Sequence, residues 1–502
     1  MKIDSRAQGA IWAIMIYEFF GTALQVYAYN LTGDPDPITR GWAYFVGLII
    51  AYQISGGCFN PAISLGAFIA QRNVKFLVTF IIQVVFQYLG AFFGLLITYL
   101  LAKNYENYNL GPEVQIGDSQ YYYDDDGPKW ARFIMPEILQ TFTLVLVYLV
   151  LAFDKDMSKL DRSIKAIMLA LTLIMCLVLG NGSGACLNPA QGIAQGIYVY
   201  AMKETESVGS GYYWIRLLWV YAVFPYVGGA LAGGMYIIHS KIEEGEDLKK
   251  TGDNNKTKSS LILPLFYEFC GTAFAIYVYN LSNHIELFRG LAYFISYLIA
   301  VRVSGAHFNP ATTLAVYVVE QKYKQNLFYL GVVCLCQFLG GLAGLLITYL
   351  LIKGEGALKL YPSNTDLYFY NDTVFFGRVC MQEFLWTFTF TLIFLIIQFE
   401  PSLRKVNKIA KGLAISHSLG ACLSFTLNSG SCFNPVLGLV QTFYMNGMLG
   451  TNVHWDCIWV YTLMPLIGAY CSALFYGFHI QAQSQNVDNE HNDSKQKLIS
   501  KQ

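Results

Sequence analysis

The sequence predicts an all-α membrane protein: twelve transmembrane helices and four re-entrant half-helices, arranged as two six-helix bundles in one chain. Three observations predict it. The first is composition: 55% of the 502 residues are hydrophobic and only 13% are charged, against about 25% charged in an average soluble domain. The mean hydropathy of +0.41 leaves too little polar surface for a soluble enzyme. The second is the number of apolar runs near the ~20 residues that a spanning helix needs. The third is internal duplication.

Six apolar stretches, roughly 10–30, 40–55, 75–103, 130–153, 164–180 and 214–239, precede residue 241. Six more, roughly 261–281, 288–303, 326–353, 374–399, 408–425 and 456–480, follow residue 260. Lys241–Ser260 between them is polar and charged and reads as a solvated linker. The tail from Gln483 reads as disordered. The expected units are therefore 1–240, a linker 241–260, 261–482 and a tail 483–502. With six spans per half, both termini and the linker share one side. Lys2, Arg6, Lys155, Lys159, Arg404 and Lys405 fall there, and an excess of Lys/Arg marks the cytoplasmic face.

The halves are copies. GLLITYLL occurs at 94–101 and at 344–351, and YEFFGT at 17–22 returns as YEFCGT at 267–272. A weaker repeat lies inside each half: SGGCFNPA (55–62) is echoed by GSGACLNPA (182–190), and SGAHFNPA (304–311) by SGSCFNPV (429–436). Each copy opens an apolar segment too short to span. Three spans separate the copies of a half, so they enter from opposite leaflets, as in transport proteins built on inverted repeats. Asparagine is a good N-cap and proline is favoured at the first helical position. Two half-helices starting at mid-membrane would aim positive dipole ends at one point, repelling cations while the asparagine amides donate to a passing oxygen.

On these residues the chain resembles the aquaporin (major intrinsic protein) family twice over, across 10–240 and 261–480. The carriers are Asn60-Pro61-Ala62, Asn188-Pro189-Ala190, Asn309-Pro310-Ala311 and Asn434-Pro435-Val436. The resemblance implies two aquaporin-like bundles with a pore through each, and a homodimer supplying a pseudo-tetramer of four pores. It implies a partner that is water or a small neutral solute and no cofactor; the composition already implies the lipid bilayer as surroundings, and the balance of 33 basic and 33 acidic residues implies no nucleic acid. The expected location is integral, in the plasma membrane or an internal vacuolar membrane.

The family usually places arginine directly after the second Asn-Pro-Ala; here Gln191 and Leu437 stand instead. Counting from each asparagine carries the other filter positions to Arg40 and Arg289 on helix two, Cys176 and Cys422 on helix five, and Ala185 and Ser431 in the loop. Each pore would then keep one arginine on a different wall, unless Arg40 and Arg289 extend into the vestibule. Glu18, Glu137, Glu268 and Glu383 lie inside apolar helices. They read either as a proton relay or as braces accepting backbone N–H groups of the irregular segments, and the family pattern favours braces.

Glycine pairs at four-residue spacing (Gly90/Gly94, Gly229/Gly233, Gly340/Gly344) read as close helix contacts. Tyr121–Asp126 reads as a solvated loop with a cation site as its alternative, and His307 and Cys58 as loop-packing positions, with pH gating as the alternative for His307. No nucleophile–base pair or metal-ligand cluster is visible, which disfavours an enzyme. The expected function is a passive water channel with one pore per unit. The alternatives are a facilitator of glycerol or another small neutral solute, and a structural or adhesion membrane protein.

Overall fold

The computed structural model describes residues 11–31, 36–102, 123–124, 127–128, 130–155, 157–180, 183–203, 210–250, 262–282, 285–352, 373–426, 429–430, 432–447, 455 and 457–499. It divides into two compact units, Met1–Asn254 and Asn255–Gln502.

In the first unit the helices are α1 (Ile11–Leu31), α2 (Pro37–Ala51), α3 (Pro61–Gln71), α4 (Leu77–Ala102), α5 (Trp130–Phe153), α6 (Arg162–Leu179), α7 (Pro189–Lys203) and α8 (Ser210–Lys250). The second unit repeats the order with α9 (Ile262–Leu281), α10 (Glu286–Ala300), α11 (Pro310–Glu320), α12 (Tyr323–Ile352), α13 (Thr373–Phe399), α14 (Lys408–Ser424), α15 (Pro435–Gly447) and α16 (Ile458–Ile499). A two-residue hairpin, β1 (Tyr123–Asp124) against β2 (Gly127–Pro128), forms in the first unit. It takes in part of the acidic Tyr121–Asp126 stretch, whose other residues lie outside the described ones.

Among the described residues nine helices are long and apolar enough to cross a membrane. The remaining three crossing helices, α2, α10 and α14, have 15, 15 and 17 residues. Each of these, like α6, hands over to a loop that leads into a half-helix. The expected linker and tail differ from the sequence reading in one respect. Helix α8 runs through Lys250 and α16 through Ile499, because extending an existing helix avoids the nucleation cost and the Glu-, Lys- and Gln-rich segments propagate it readily.

The bundles are apolar inside and out. On α4, Val78, Ile81, Val85, Leu89, Leu96 and Leu100 form an exposed stripe, and Leu335, Leu339, Leu342, Leu346 and Leu350 repeat it on α12. In water such stripes would be costly, but against acyl chains they are solvated. The inner contacts rest on small residues: α1 packs on α4 and α9 on α12. A Cβ at Gly90 would lie 2.2 Å from the Phe19 carbonyl oxygen, and at Gly340 2.3 Å from that of Phe269. A Cβ at Gly229 would lie equally close to the Ala62 carbonyl oxygen, so its absence lets α8 seat on the first turn of α3.

Helix α2 begins at Asp36, whose carboxylate accepts from the amides of Ile38 at 3.0 Å and Thr39 at 3.1 Å. The Thr39 hydroxyl also donates to it, and that bond above all holds the Asp36 carboxyl below its usual range. The cap is therefore complete above the unfolded carboxyl pKa of about 3.9 and is lost as pH falls through the lowered folded value. Asp36→Ala should weaken the first turn of α2 by about 0.5–2 kcal/mol, read as faster amide exchange at Ile38 and Thr39. Equal exchange at neutral pH in both proteins would mean the cap contributes nothing.

Candidate functional site

Each unit brings two half-helices together end to end. Asn60 caps α3, its Oδ1 accepting from the Ala62 amide at 2.8 Å, while its Nδ2 donates to the Leu187 carbonyl at 2.8 Å. Asn188 mirrors it at the start of α7, with Oδ1 accepting from Ala190 N at 3.1 Å and Nδ2 donating to Phe59 O at 3.0 Å. In the second unit Asn309 Nδ2 reaches Phe433 O at 2.8 Å, and Asn434 Nδ2 reaches Phe308 O at 3.1 Å. Val436, the departure from Asn-Pro-Ala, leaves the pattern intact: its amide still donates to Asn434 Oδ1 at 3.0 Å. A primary amide has two N–H groups. Each asparagine spends one on the opposite junction and keeps one.

The residue before each asparagine is held in the left-handed region: Phe59 at φ 51°, Leu187 at 55°, Phe308 at 54° and Phe433 at 51°. A side chain there costs on the order of 1–2 kcal/mol, so something must enforce it. The four buried glutamates do. Glu18 accepts from Phe59 N at 2.8 Å and Cys58 N at 3.2 Å. Glu137 accepts from Leu187 N at 2.8 Å and Cys186 N at 3.0 Å. Glu268 and Glu383 do the same for Phe308 (2.7 Å) and His307 (3.0 Å), and for Phe433 (2.9 Å) and Cys432 (3.1 Å). A serine hydroxyl, from Ser55, Ser183, Ser304 or Ser429, completes each carboxylate. These bonds are those of a brace.

Two glutamines that the sequence reading missed extend the brace. Gln87 Nε2 bridges Glu18 at 2.7 Å and Ser64 at 2.9 Å, and Gln337 bridges Glu268 and Thr313, both at 2.9 Å. Their signal was available: a glutamine 250 residues apart in otherwise apolar copies of one helix. His307 and Cys58 are both buried in their loops, His307 against Phe394 at 5.9 Å between ring centroids and Cys58 donating to the Tyr148 hydroxyl at 3.5 Å.

A cavity opens above each junction. The first, of ≈ 30 Å³, is lined by Arg40, Tyr29, Gln25, Gln191, Cys186 and both asparagines, with Leu144, Leu173 and Leu177 among the apolar residues. The second, of ≈ 70 Å³, is lined by Arg289, Tyr279, Tyr293, Leu437, Cys432 and both asparagines, with Phe390, Leu419 and Leu423. Arg40 and Arg289 thus reach the cavity. Arg40 lies with Cζ 3.4 Å from the Tyr29 ring centroid and donates to Tyr29 O at 3.5 Å. Arg289 stacks on Tyr279 at 3.8 Å and donates through Nε to Ser282 Oγ at 3.1 Å. Each tyrosine is pinned in turn, Tyr29 donating to the Gly184 carbonyl at 2.8 Å and Tyr279 to that of Gly430. Tyr29 and Tyr279 were missed from sequence, although each precedes an Asn in matched Tyr-Asn pairs.

Gln191 and Leu437 are in the linings, but Cys176, Cys422 and Ala185 are not. All three are buried, and on α6 and α14 the residues that line the cavities are Leu173 and Leu177, and Leu419 and Leu423. One residue along a helix turns the side chain by about 100°, so Cys176 and Cys422 point away from the direction of Leu177 and Leu423. Ser431 lies outside the described residues.

The model of the "Major intrinsic protein" family matches residues 8–236 and again 259–476. The chain belongs to the major intrinsic protein family. Its two matched segments coincide with the two structural units. Among relatives, "Probable aquaporin TIP-type RB7-5A" of Nicotiana tabacum is 27% identical over 250 residues, 46% of this chain and 89% of that protein. "Aquaporin-9" of Rattus norvegicus is 26% identical over 241 residues, 44% of this chain and 76% of that protein. The solved aquaglyceroporin from Plasmodium falciparum aligns at 21% identity with a TM-score of 0.36, covering 45% of this chain and 96% of its own. As a member of this family the chain is an integral membrane channel for water or small solutes rather than an enzyme.

Proposed function

We propose that each unit conducts water passively and in both directions, without chemistry, through its half-helix junction. The observation that carries this reading is the pair of asparagine amides that meet in each unit, each with one N–H already committed and one left for a passing oxygen. Converging half-helix N-termini add positive potential at that point, and the stacked guanidinium of Arg40 or Arg289 adds a fixed charge beside the same cavity. Both favour an uncharged hydrogen-bond acceptor over a cation or proton.

Glu18, Glu137, Glu268 and Glu383 act as structural braces in this reading. The filter consists of Arg40, Gln191 and Cys186 in the first unit, and of Arg289, Leu437 and Cys432 in the second. Both termini face the cytoplasm, the polar segment 241–260 joins the units there, and two chains pair to give four pores. The test is stopped-flow swelling and shrinkage of proteoliposomes against empty liposomes. Rates equal to those of empty liposomes would overturn the reading in favour of a structural role.

The cysteines provide a second check. A mercurial should block flux through Cys186 and Cys432, which line the cavities, with reversal by added thiol. Cys186→Ser with Cys432→Ser should remove that sensitivity, whereas Cys176→Ser with Cys422→Ser should leave it. The opposite result would return Cys176 and Cys422 to the pore wall.

A further inference from the structure

The two cavities are copies in position but not in chemistry. In the first, four lining residues carry polar atoms with no protein partner: Gln25 Nε2, Arg40 Nε, Tyr44 Oη and Gln191 Nε2. Gln191 is only 5% exposed, so its amide faces the cavity without bulk solvent to satisfy it. Buried donors left this way are costly unless water completes them.

In the second cavity each of these features is altered. Gln25 is matched by Ala275 and Gln191 by Leu437, and Phe390 replaces Leu144. Among the described residues, the two matched positions that stay polar have the corresponding atoms bonded within the protein. Arg289 Nε donates to Ser282, and Tyr293 Oη donates to the Ala306 carbonyl at 2.7 Å. The space is also larger, ≈ 70 Å³ against ≈ 30 Å³.

Building on the reading of each unit as a pore, we infer that the two pores of this chain select different solutes: the first is a water pore set by Gln25 and Gln191, and the second admits small uncharged polyols along a wall of Ala275, Leu437 and Phe390. A single file of water in the first pore can satisfy the four open donors one molecule at a time, and ~2 waters fill that space. A methylene-bearing solute there would cover those donors without bonding them, a mismatch that sites built for hydrogen bonding reject strongly. In the second pore the apolar wall accepts methylene groups. Hydroxyls on the opposite edge find the spare amide hydrogens of Asn309 and Asn434.

The experiment uses the full chain with one pore filled at a time. Leu419→Trp plugs the second cavity and leaves the first; Leu173→Trp does the reverse. Water and glycerol fluxes are measured in liposomes at matched protein density, with insertion checked by labelling. The Leu419→Trp protein should show a water-to-glycerol ratio about tenfold higher than the Leu173→Trp protein. A swap separates selectivity from damage. Gln25→Ala with Gln191→Leu, on the Leu419→Trp background, should lower the ratio by raising glycerol flux, a gain that a misfolded pore cannot give. Equal ratios in the two plugged proteins, or a swap that leaves the ratio unchanged, would overturn the division of selectivity while leaving the channel reading intact. Loss of water flux in the unplugged chain would overturn the channel reading itself.

Discussion

Replacing Asn60 and Asn309 together by aspartate should abolish water flux, whereas either change alone should leave the flux of the other unit. The carboxylate keeps the cap, because it still accepts from Ala62 or Ala311, but it cannot donate. The Phe433 carbonyl then loses the donor it has from Asn309, and the Leu187 carbonyl keeps only the long 3.5 Å bond from the Thr141 hydroxyl, at a cost of about 1–3 kcal/mol for a buried group left poorly satisfied. The open N–H that would meet the passing oxygen disappears as well. A negative charge appears at the convergence of the two half-helix dipoles, where it cancels the positive potential. The readout is stopped-flow water permeability of liposomes carrying wild-type, single and double variants at equal density. Complete loss from Asn60→Asp alone would mean that the two units do not conduct independently.

The second large effect is expected from Arg40→Val together with Arg289→Val. Each guanidinium is held over a tyrosine ring, at 3.4 Å in the first unit and 3.8 Å in the second, so its charge stands at the cavity rather than wandering into the vestibule. With Gln191 and Leu437 uncharged, these arginines supply the fixed charge beside each cavity. Valine should raise urea or glycerol permeation about tenfold and introduce a measurable cation leak. Lysine should retain cation exclusion but lose the planar fork that stacks on the ring and orients the solute. Unchanged selectivity in both the Val/Val and Lys/Lys proteins would take the arginines out of the conduction path. The barrier to cations would then rest on the half-helix dipoles.

The two changes probe different layers of one design, and the layers were unequally legible. The repeats, the four junction asparagines and the four intramembrane glutamates stand out in sequence because each breaks an apolar run at a matched position. An uncharged amide or a carboxylate inside a bilayer helix has few physical reasons to exist, so its presence alone narrows the reading. Helix number, the pairing of the halves and the short segments after each junction follow from the same run lengths. Gln87 and Gln337 carry a similar signal, yet their partners Ser64 and Thr313 lie on another helix. Only the packing of α4 on α3 and α12 on α11 shows what the glutamines hold.

The filter was legible only to within one residue. Counting from the asparagines reaches Arg40, Arg289, Gln191 and Leu437, which do line the cavities, but it also picks Cys176 and Cys422, which do not. A helix advances by about 100° per residue. Leu177 and Leu423 therefore present themselves to the cavities while Cys176 and Cys422 beside them are turned away. Sequence by itself determined that this chain is a doubled membrane bundle with paired half-helices, because length, hydropathy and repetition are one-dimensional properties, while its reading as a channel came from the family that its motifs resemble. Tertiary structure alone decided which side chains meet at each cavity, that the tyrosines clamp the arginines, and that four donors lining the first cavity have no protein partner while, among the described residues, the matched Arg289 Nε and Tyr293 Oη of the second are bonded. Those depend on the rotation and close approach of helices from distant parts of each unit, which no count along the chain contains.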